Sequence, residues 1–500
     1  MPGRQAGAAT VLALALTACH VGPRPAAPAS SRTRPKPAAA VDTLRRDIDA
    51  LLAQPIFEHG YWGVSVKSLK SDETLYALNA RKLMMPASNM KIVTLAAAAD
   101  RLGWDYTYDT TLLGLGPITA GTLNGDLLVV GSGDPSIGDD LAERLFADWA
   151  GRVTNAGIRT IDGRIIGDDN TLDDDALGFG WSWDDLPDDY AAGIGALQFN
   201  ENAVRVTAGP GPAVGDFAAI DATPSDSGLD IRSLVTTGAA NSQTSISTRR
   251  LPGSSTLELR GSIALGATAS TLTVSVDNPT LFFVKALRAA LIARGINVRG
   301  PAVDIDQVLH PPARSTGALL ATYTSPPLST LATRLMKVSQ NQYAETLLKT
   351  LGAAAGTPTA ANGRSEARAI LQKWGVQPGD LIQRDGSGLS RYDYVTPDAL
   401  VTVLSHIDRD PRLRGPFEAA LPIAGRDGTL SNRMKGTPAE GNARAKTGSM
   451  ANVRGLSGYV TTADGEPVVF SIIANNFDEP AGAITKTADA IVIRLAQFKR

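Results

Sequence analysis

Strand-patterned segments at opposite ends of the chain constrain the fold more than anything between them. Trp62 to Leu69 alternates apolar and polar residues, Lys70 to Glu73 supplies a turn, and Thr74 to Leu78 reads as the return strand. At the far end, Asn442 to Lys446, Arg454 to Thr461 and Pro467 to Asn475 read as three more strands, with Asp464-Gly465 as a hairpin turn. A helix over Ala483 to Lys499 closes the chain. Two early strands and three late ones join into one antiparallel sheet, which brings the termini together. Ser88 to Leu102 lacks Gly and Pro, follows Pro86 and stops at Gly103, the pattern of a helix packed against such a sheet.

The chain has 500 residues, too many for one compact core. Residues 111–280 hold short alternating strands, such as Asp126 to Val130 and Asn202 to Val206, among Gly, Asp and Thr turns. They read as an inserted β-rich region of one or two subdomains, with 41–110 and 281–500 forming a discontinuous main domain. The expected class is therefore α+β, an antiparallel sheet flanked by helices and carrying a large β-rich insertion.

Residues 1–18 begin weakly basic at Arg4 and continue through an apolar run from Val11 to Leu16. The run is far short of the roughly 20 residues needed to span a bilayer, so it reads as a signal-peptide core. It ends in Leu16-Thr17-Ala18-Cys19, which resembles the lipobox of bacterial lipoproteins and implies lipidation of Cys19. An ordinary signal with an incidental cysteine is the alternative; both place the working protein outside the cytoplasm. His20 is not an inner-membrane retention signal. Residues 19–40, rich in Pro, Ala, Ser and Arg, read as a tether. A net charge of -2 gives no footprint for nucleic acid. One cysteine and four scattered histidines offer no disulfide framework or metal-ligand spacing.

Three short motifs carry the chemistry. Ser88 and Lys91 stand three apart at a helix start and so share one face. A serine needs a base to take its proton, and a lysine can serve once a helix N-terminus, burial or a second cation lowers its proton affinity. Ser339-Gln340-Asn341 falls between the helical run Leu328 to Met336 and a helix from near Tyr343, where Asn341 can grip a substrate amide. Lys446-Thr447-Gly448-Ser449 ends a strand. There Lys446 and Thr447 suit a substrate carboxylate, and Gly448 lets a substrate backbone approach. The Ser449 N–H, with that of Ser88, suits an oxyanion hole. Each motif alone is an ordinary polar pattern. In this order, on a helix start, an inter-helix turn and a strand, they form the S-x-x-K, S-x-N, K-T-G set of penicillin-binding proteins and serine β-lactamases.

From about residue 45 onward the chain resembles the class C low-molecular-mass penicillin-binding proteins, which are D-alanyl-D-alanine carboxypeptidases/endopeptidases. The resemblance is carried by Gly131-Ser132-Gly133-Asp134-Pro135, Gly195 to Asn200, Asp277-Asn278-Pro279 and Ser339 to Glu345. Asp385-Gly386-Ser387-Gly388-Leu389-Ser390-Arg391 and Ala424 to Leu430 carry it further. Roughly 250 residues separate Lys91 from Ser339, matching that family's insertion and exceeding β-lactamase spacing. Gln340 stands where Asp is frequent, and neither it nor the 385–391 segment receives a chemical role. The resemblance implies peptidoglycan stem peptides and β-lactams as partners, Ser88, Lys91 and Ser339 as catalytic residues, and no metal or organic cofactor. It sets no oligomeric state. A β-lactamase or esterase on the same scaffold, or a non-catalytic wall-binding lipoprotein, are the alternative readings.

Overall fold

The computed structural model describes residues 36–478 and 481–500, so the leader, Cys19 and most of the tether lie outside the described residues. The last stretch of the expected tether is helical, because helix α1 spans Lys36–Leu52. Val41, Leu44 and Ile48 recur at helical spacing along it and are buried. Strands β1 (Tyr61–Ser68) and β2 (Thr74–Leu78) form the first hairpin. Helix α2 (Met90–Leu102) follows a 3-10 turn at Ala87–Asn89 and ends at Gly103, whose φ of 82° suits glycine.

From Asp109 the chain leaves this sheet. Asp109–Leu115, Asp126–Gly131, Ile165–Asp168, Ala302–Asp304 and Ala318–Thr324 build a second five-stranded sheet. Helices α3 (Asp139–Asn155) and α4 (Pro279–Ala293) bury Phe146, Trp149, Phe283 and Leu287 in one core with its Leu127, Val129 and Ile165. Two three-stranded sheets between residues 203 and 275 share a further core around Val204, Val235, Leu257 and Leu259. The later strands Asn297–Val298, Ala302–Asp304 and Ala318–Thr324 also pair with this region. The reason is topological: Ala318–Thr324 lies antiparallel to Asp109–Leu115, so the strands by which the chain enters and leaves are neighbours.

Five helices follow: α5 (Leu328–Lys337), α6 (Asn341–Ala354), α7 (Ala360–Lys373), α8 (Pro397–Arg409) and α9 (Pro411–Ala420). Strands β3 (Arg444–Met450), β4 (Val453–Thr461) and β5 (Pro467–Asn475) and helix α10 (Ala481–Ala496) complete the chain. The main sheet runs β2-β1-β5-β4-β3, every pair antiparallel, so the two ends of the chain build it together. Both faces are covered. Val469 and Ile473 of β5 join Val93, Leu335, Leu404 and Phe417 under α2, α5, α8 and α9. The alternate positions Val468, Phe470 and Ile472 join Leu44, Ile48, Ile491 and Leu495 under α1 and α10.

Strand β3 begins at Arg444, two residues later than the sequence pattern suggests, and continues through Met450, so Lys446 to Ser449 lie inside it. It is the edge strand. Ala445 N–H bonds outward to Pro422 C=O, so by alternation the N–H groups of Thr447 and Ser449 also face away from β4.

Candidate active site

Ser88 sits in the 3-10 turn that starts α2, and the residue before it, Ala87, holds a φ of 46°. A left-handed conformation in a residue with a Cβ costs about 1–2 kcal/mol, and such strain gathers at functional sites. One helical turn on, Lys91 is fully buried with Nζ 3.0 Å from Ser88 Oγ. Nζ also lies 2.5 Å from Asn341 Oδ1 and 2.9 Å from the Ser387 carbonyl. Neither of those two oxygens can donate. A neutral Lys91 therefore spends both N–H groups on them and turns its lone pair to the Ser88 hydroxyl. The Asn341 amide is oriented for this by its Nδ2, which donates to the Tyr190 carbonyl at 2.7 Å. Burial lowers the Lys91 ammonium to about 7, against the opposing pull of Asp385, Glu345 and Asp393.

Ser339 precedes α6 with a φ of 67°, and its Oγ accepts from Lys446 Nζ at 2.7 Å. Lys446 is fully buried, and burial followed by the nearby Lys91 holds its ammonium well below the usual lysine range. Thr447 Oγ1 donates to Thr429 Oγ1 at 2.8 Å. The three motifs thus meet at one cleft of about 440 Å³, lined by Ser88, Ser339, Asn341, Thr447 and Ser449.

Gly448 has a packing reason beside the one its sequence suggests. A Cβ there would stand 2.6 Å from both the Pro86 carbonyl and Asn89 Nδ2, so the missing side chain admits the turn that carries Ser88 against the sheet. Gln340, given no role from sequence, accepts from Gln342 N–H at the start of α6 and donates to Glu201 at 2.7 Å.

Several cleft residues escape the motif reading. Gly388, Leu389 and Arg391 belong to the 385–391 segment, Thr429 to the Ala424–Leu430 segment, and Asp185 and Tyr190 to the inserted region. The first two segments were visible as family-like sequence without a role. Gly388, with φ 85°, has room for no Cβ because the Ala87 carbonyl would be 1.9 Å away. A larger cavity of about 480 Å³ lies in the inserted region beside Asp169, Asp174 and Asp306, whose carboxylates approach one another. It contains none of the three motifs.

Comparison with known proteins agrees with this geometry. The D-Ala-D-Ala carboxypeptidase 3 (S13) family matches residues 44–497. Over 473 residues, 92% of this chain and 86% of the relative, the sequence is 35% identical to a D-alanyl-D-alanine carboxypeptidase of Actinomadura sp. (strain R39). The crystal structure of penicillin binding protein 4 (dacB) from Haemophilus influenzae is similar with a TM-score of 0.78 at 28% identity. That similarity covers 90% of this chain and 97% of that one. Bd3459, a predatory peptidoglycan endopeptidase from Bdellovibrio bacteriovorus, shares the fold with a TM-score of 0.51 at 18% identity, covering 88% and 94% of the two chains.

Proposed function

The chain belongs to the D-Ala-D-Ala carboxypeptidase 3 (S13) family, and from that membership we propose how its own residues divide the work. It is a class C low-molecular-mass penicillin-binding protein, a serine-type carboxypeptidase/endopeptidase that acts on peptidoglycan and binds β-lactams. In the proposed division Ser88 is the nucleophile and Lys91 its base. Ser88 Oγ attacks the carbonyl carbon of the penultimate D-Ala as its proton passes to Lys91 Nζ. The oxyanion rests on the N–H groups of Ser88 and Ser449. Ser339, bonded to Lys446, relays a proton to the leaving amine, which is terminal D-Ala or the cross-linked amine. Asn341 holds the substrate amide and the lysine, while Lys446 and Thr447 receive the substrate carboxylate. Water then hydrolyses the ester.

The observation that carries this reading is the Lys91 amine nitrogen, buried beside Ser88 with two obligate acceptors on its other sides. The test is intact-mass analysis after incubation with a fluorescent penicillin, beside Ser88→Ala. A single adduct on the natural chain and none on the variant is the expected result. An adduct that persists on the variant would remove Ser88 as nucleophile.

Strand pairing supports reading residues 109–324 as the inserted unit and the remainder from residue 36 as the catalytic unit. The lipobox-like Leu16-Thr17-Ala18-Cys19 supports an extracytoplasmic, lipid-anchored protein. Detergent-phase partitioning of the mature protein is expected, and Cys19→Ala should move it to the aqueous phase. Equal partitioning of the two would argue for a simple cleaved leader.

A further inference from the structure

Behind Lys91 lie three buried carboxylates that the roles above leave unused. Glu345 on α6 accepts Gly386 N–H and Ser387 N–H at 2.8 Å each. Asp385 accepts Gly388 N–H and Ser390 N–H at 2.7 Å each and the Trp181 Nε1–H at 2.9 Å. Asp393 accepts Arg384 N–H on Oδ1 at 2.5 Å. Its Oδ2 is buried without a donor, and its carboxyl group neighbours that of Asp385. Three such groups so close together do not all ionise. Burial and the neighbouring Asp385 push both Glu345 and Asp393 upward from their ordinary values.

The donors decide where the charge stays. Three N–H groups converge on Asp385. The orphaned Asp393 oxygen gains a partner only when it carries a proton and donates it to Asp385. The same loop presents the Ser387 carbonyl to Lys91 Nζ at 2.9 Å. The other charged groups around this cluster are Lys446 on β3, the half-buried Arg364 on α7 and the adjacent Arg384.

We propose that Asp385 is a positioning residue for the Lys91 base: with a proton held on Asp393, its carboxylate fixes the Ser387 carbonyl against Lys91 and balances the ammonium that forms when Lys91 takes the Ser88 proton. The proposal rests on Lys91 being the base. Asp385 favours the charged lysine, so it works against burial. Removing its charge leaves burial less opposed, and Lys91 then gives up its proton at a lower pH. The acid limb of acylation, where protonated Lys91 becomes neutral, moves down with it.

The experiment is the rate of acylation of the full chain by a fluorescent penicillin from about pH 5 to 9, for the natural protein, Asp385→Asn and Asp393→Asn. The natural protein is expected to show an acid limb near neutrality. Asp385→Asn should shift it down by roughly one unit or more and lower the plateau about tenfold. Asp393→Asn replaces the acid O–H by an amide N–H facing Asp385, so its limb should stay within about 0.3 unit of the natural one. A merely structural loss would lower the rate without moving the limb. An unshifted limb in Asp385→Asn overturns the role of that residue alone. A natural profile with no acid limb overturns Lys91 as base, and the proposal with it. Should Asp385→Asn fail to fold, Asp393→Asn still decides, because a downward shift there would put the charge on Asp393.

Discussion

Gly448 faces Gly455 across β3 and β4, and the Asn89 side chain lies against the pair, where two Cβ atoms would otherwise stand. The turn that carries Ser88 is thereby seated directly on the sheet. Gly448→Ala would bring a methyl group within 2.6 Å of backbone at Pro86, and either the strand or the turn must move. A displacement approaching 1 Å at reacting atoms costs on the order of 100-fold in rate. Acylation by penicillin should fall by about that factor while far-ultraviolet circular dichroism keeps the native spectrum. A rate within about threefold of the natural one would mean the turn yields without disturbing Ser88. The motif itself was plain in the sequence, but what Gly448 avoids was not, because Pro86 and Asn89 are distant in the chain. Asp385 was hidden for the same reason. Its Asp-Gly-Ser-Gly setting was visible, yet beyond the local Gly388 and Ser390 N–H groups its surroundings come from Trp181 and the neighbourhood of Glu345.

Helix α3 shows the opposite kind of omission. Its buried positions, Ala142, Leu145, Phe146, Trp149, Ala150 and Val153, follow helical spacing that a window over residues 139–155 displays. The turn-rich composition around it masked that period. The fully buried Trp149 packs its ring 6.3 Å from Phe146 and 6.4 Å from Phe283. Trp149→Ala should cost about 3–5 kcal/mol, read as a lower urea midpoint, with penicillin acylation of the folded protein retained. A loss under about 1 kcal/mol would show that this core refills the space. The late return of Ala318–Thr324 to Asp109–Leu115 is another matter: no local pattern specifies a partner so far away in sequence.

At the scale of the molecule, the sheet shared by the two chain ends was legible because each strand alternates cleanly and its turns are marked. The reach of the inserted region into the cleft was not. Tyr190 orients Asn341 through its carbonyl, and Trp181 donates to Asp385. Glu201 pairs with Arg334 at 2.6 Å and accepts from Gln340. These are contacts between remote surfaces, made through backbone atoms and single side chains that carry no periodic signal. The shared sheet also sets an order in time. The chain is synthesised N-terminus first, so β1 and β2 exist long before the β5 that pairs with β1. Residues 109–324 have their own cores and can settle in that interval. Lys446 and Ser449 stand on β3, made long after the Ser88 turn, so with the roles proposed for them a chain interrupted before β3 is not a slow enzyme but no enzyme: the hydrolase stays silent until that strand has joined the sheet.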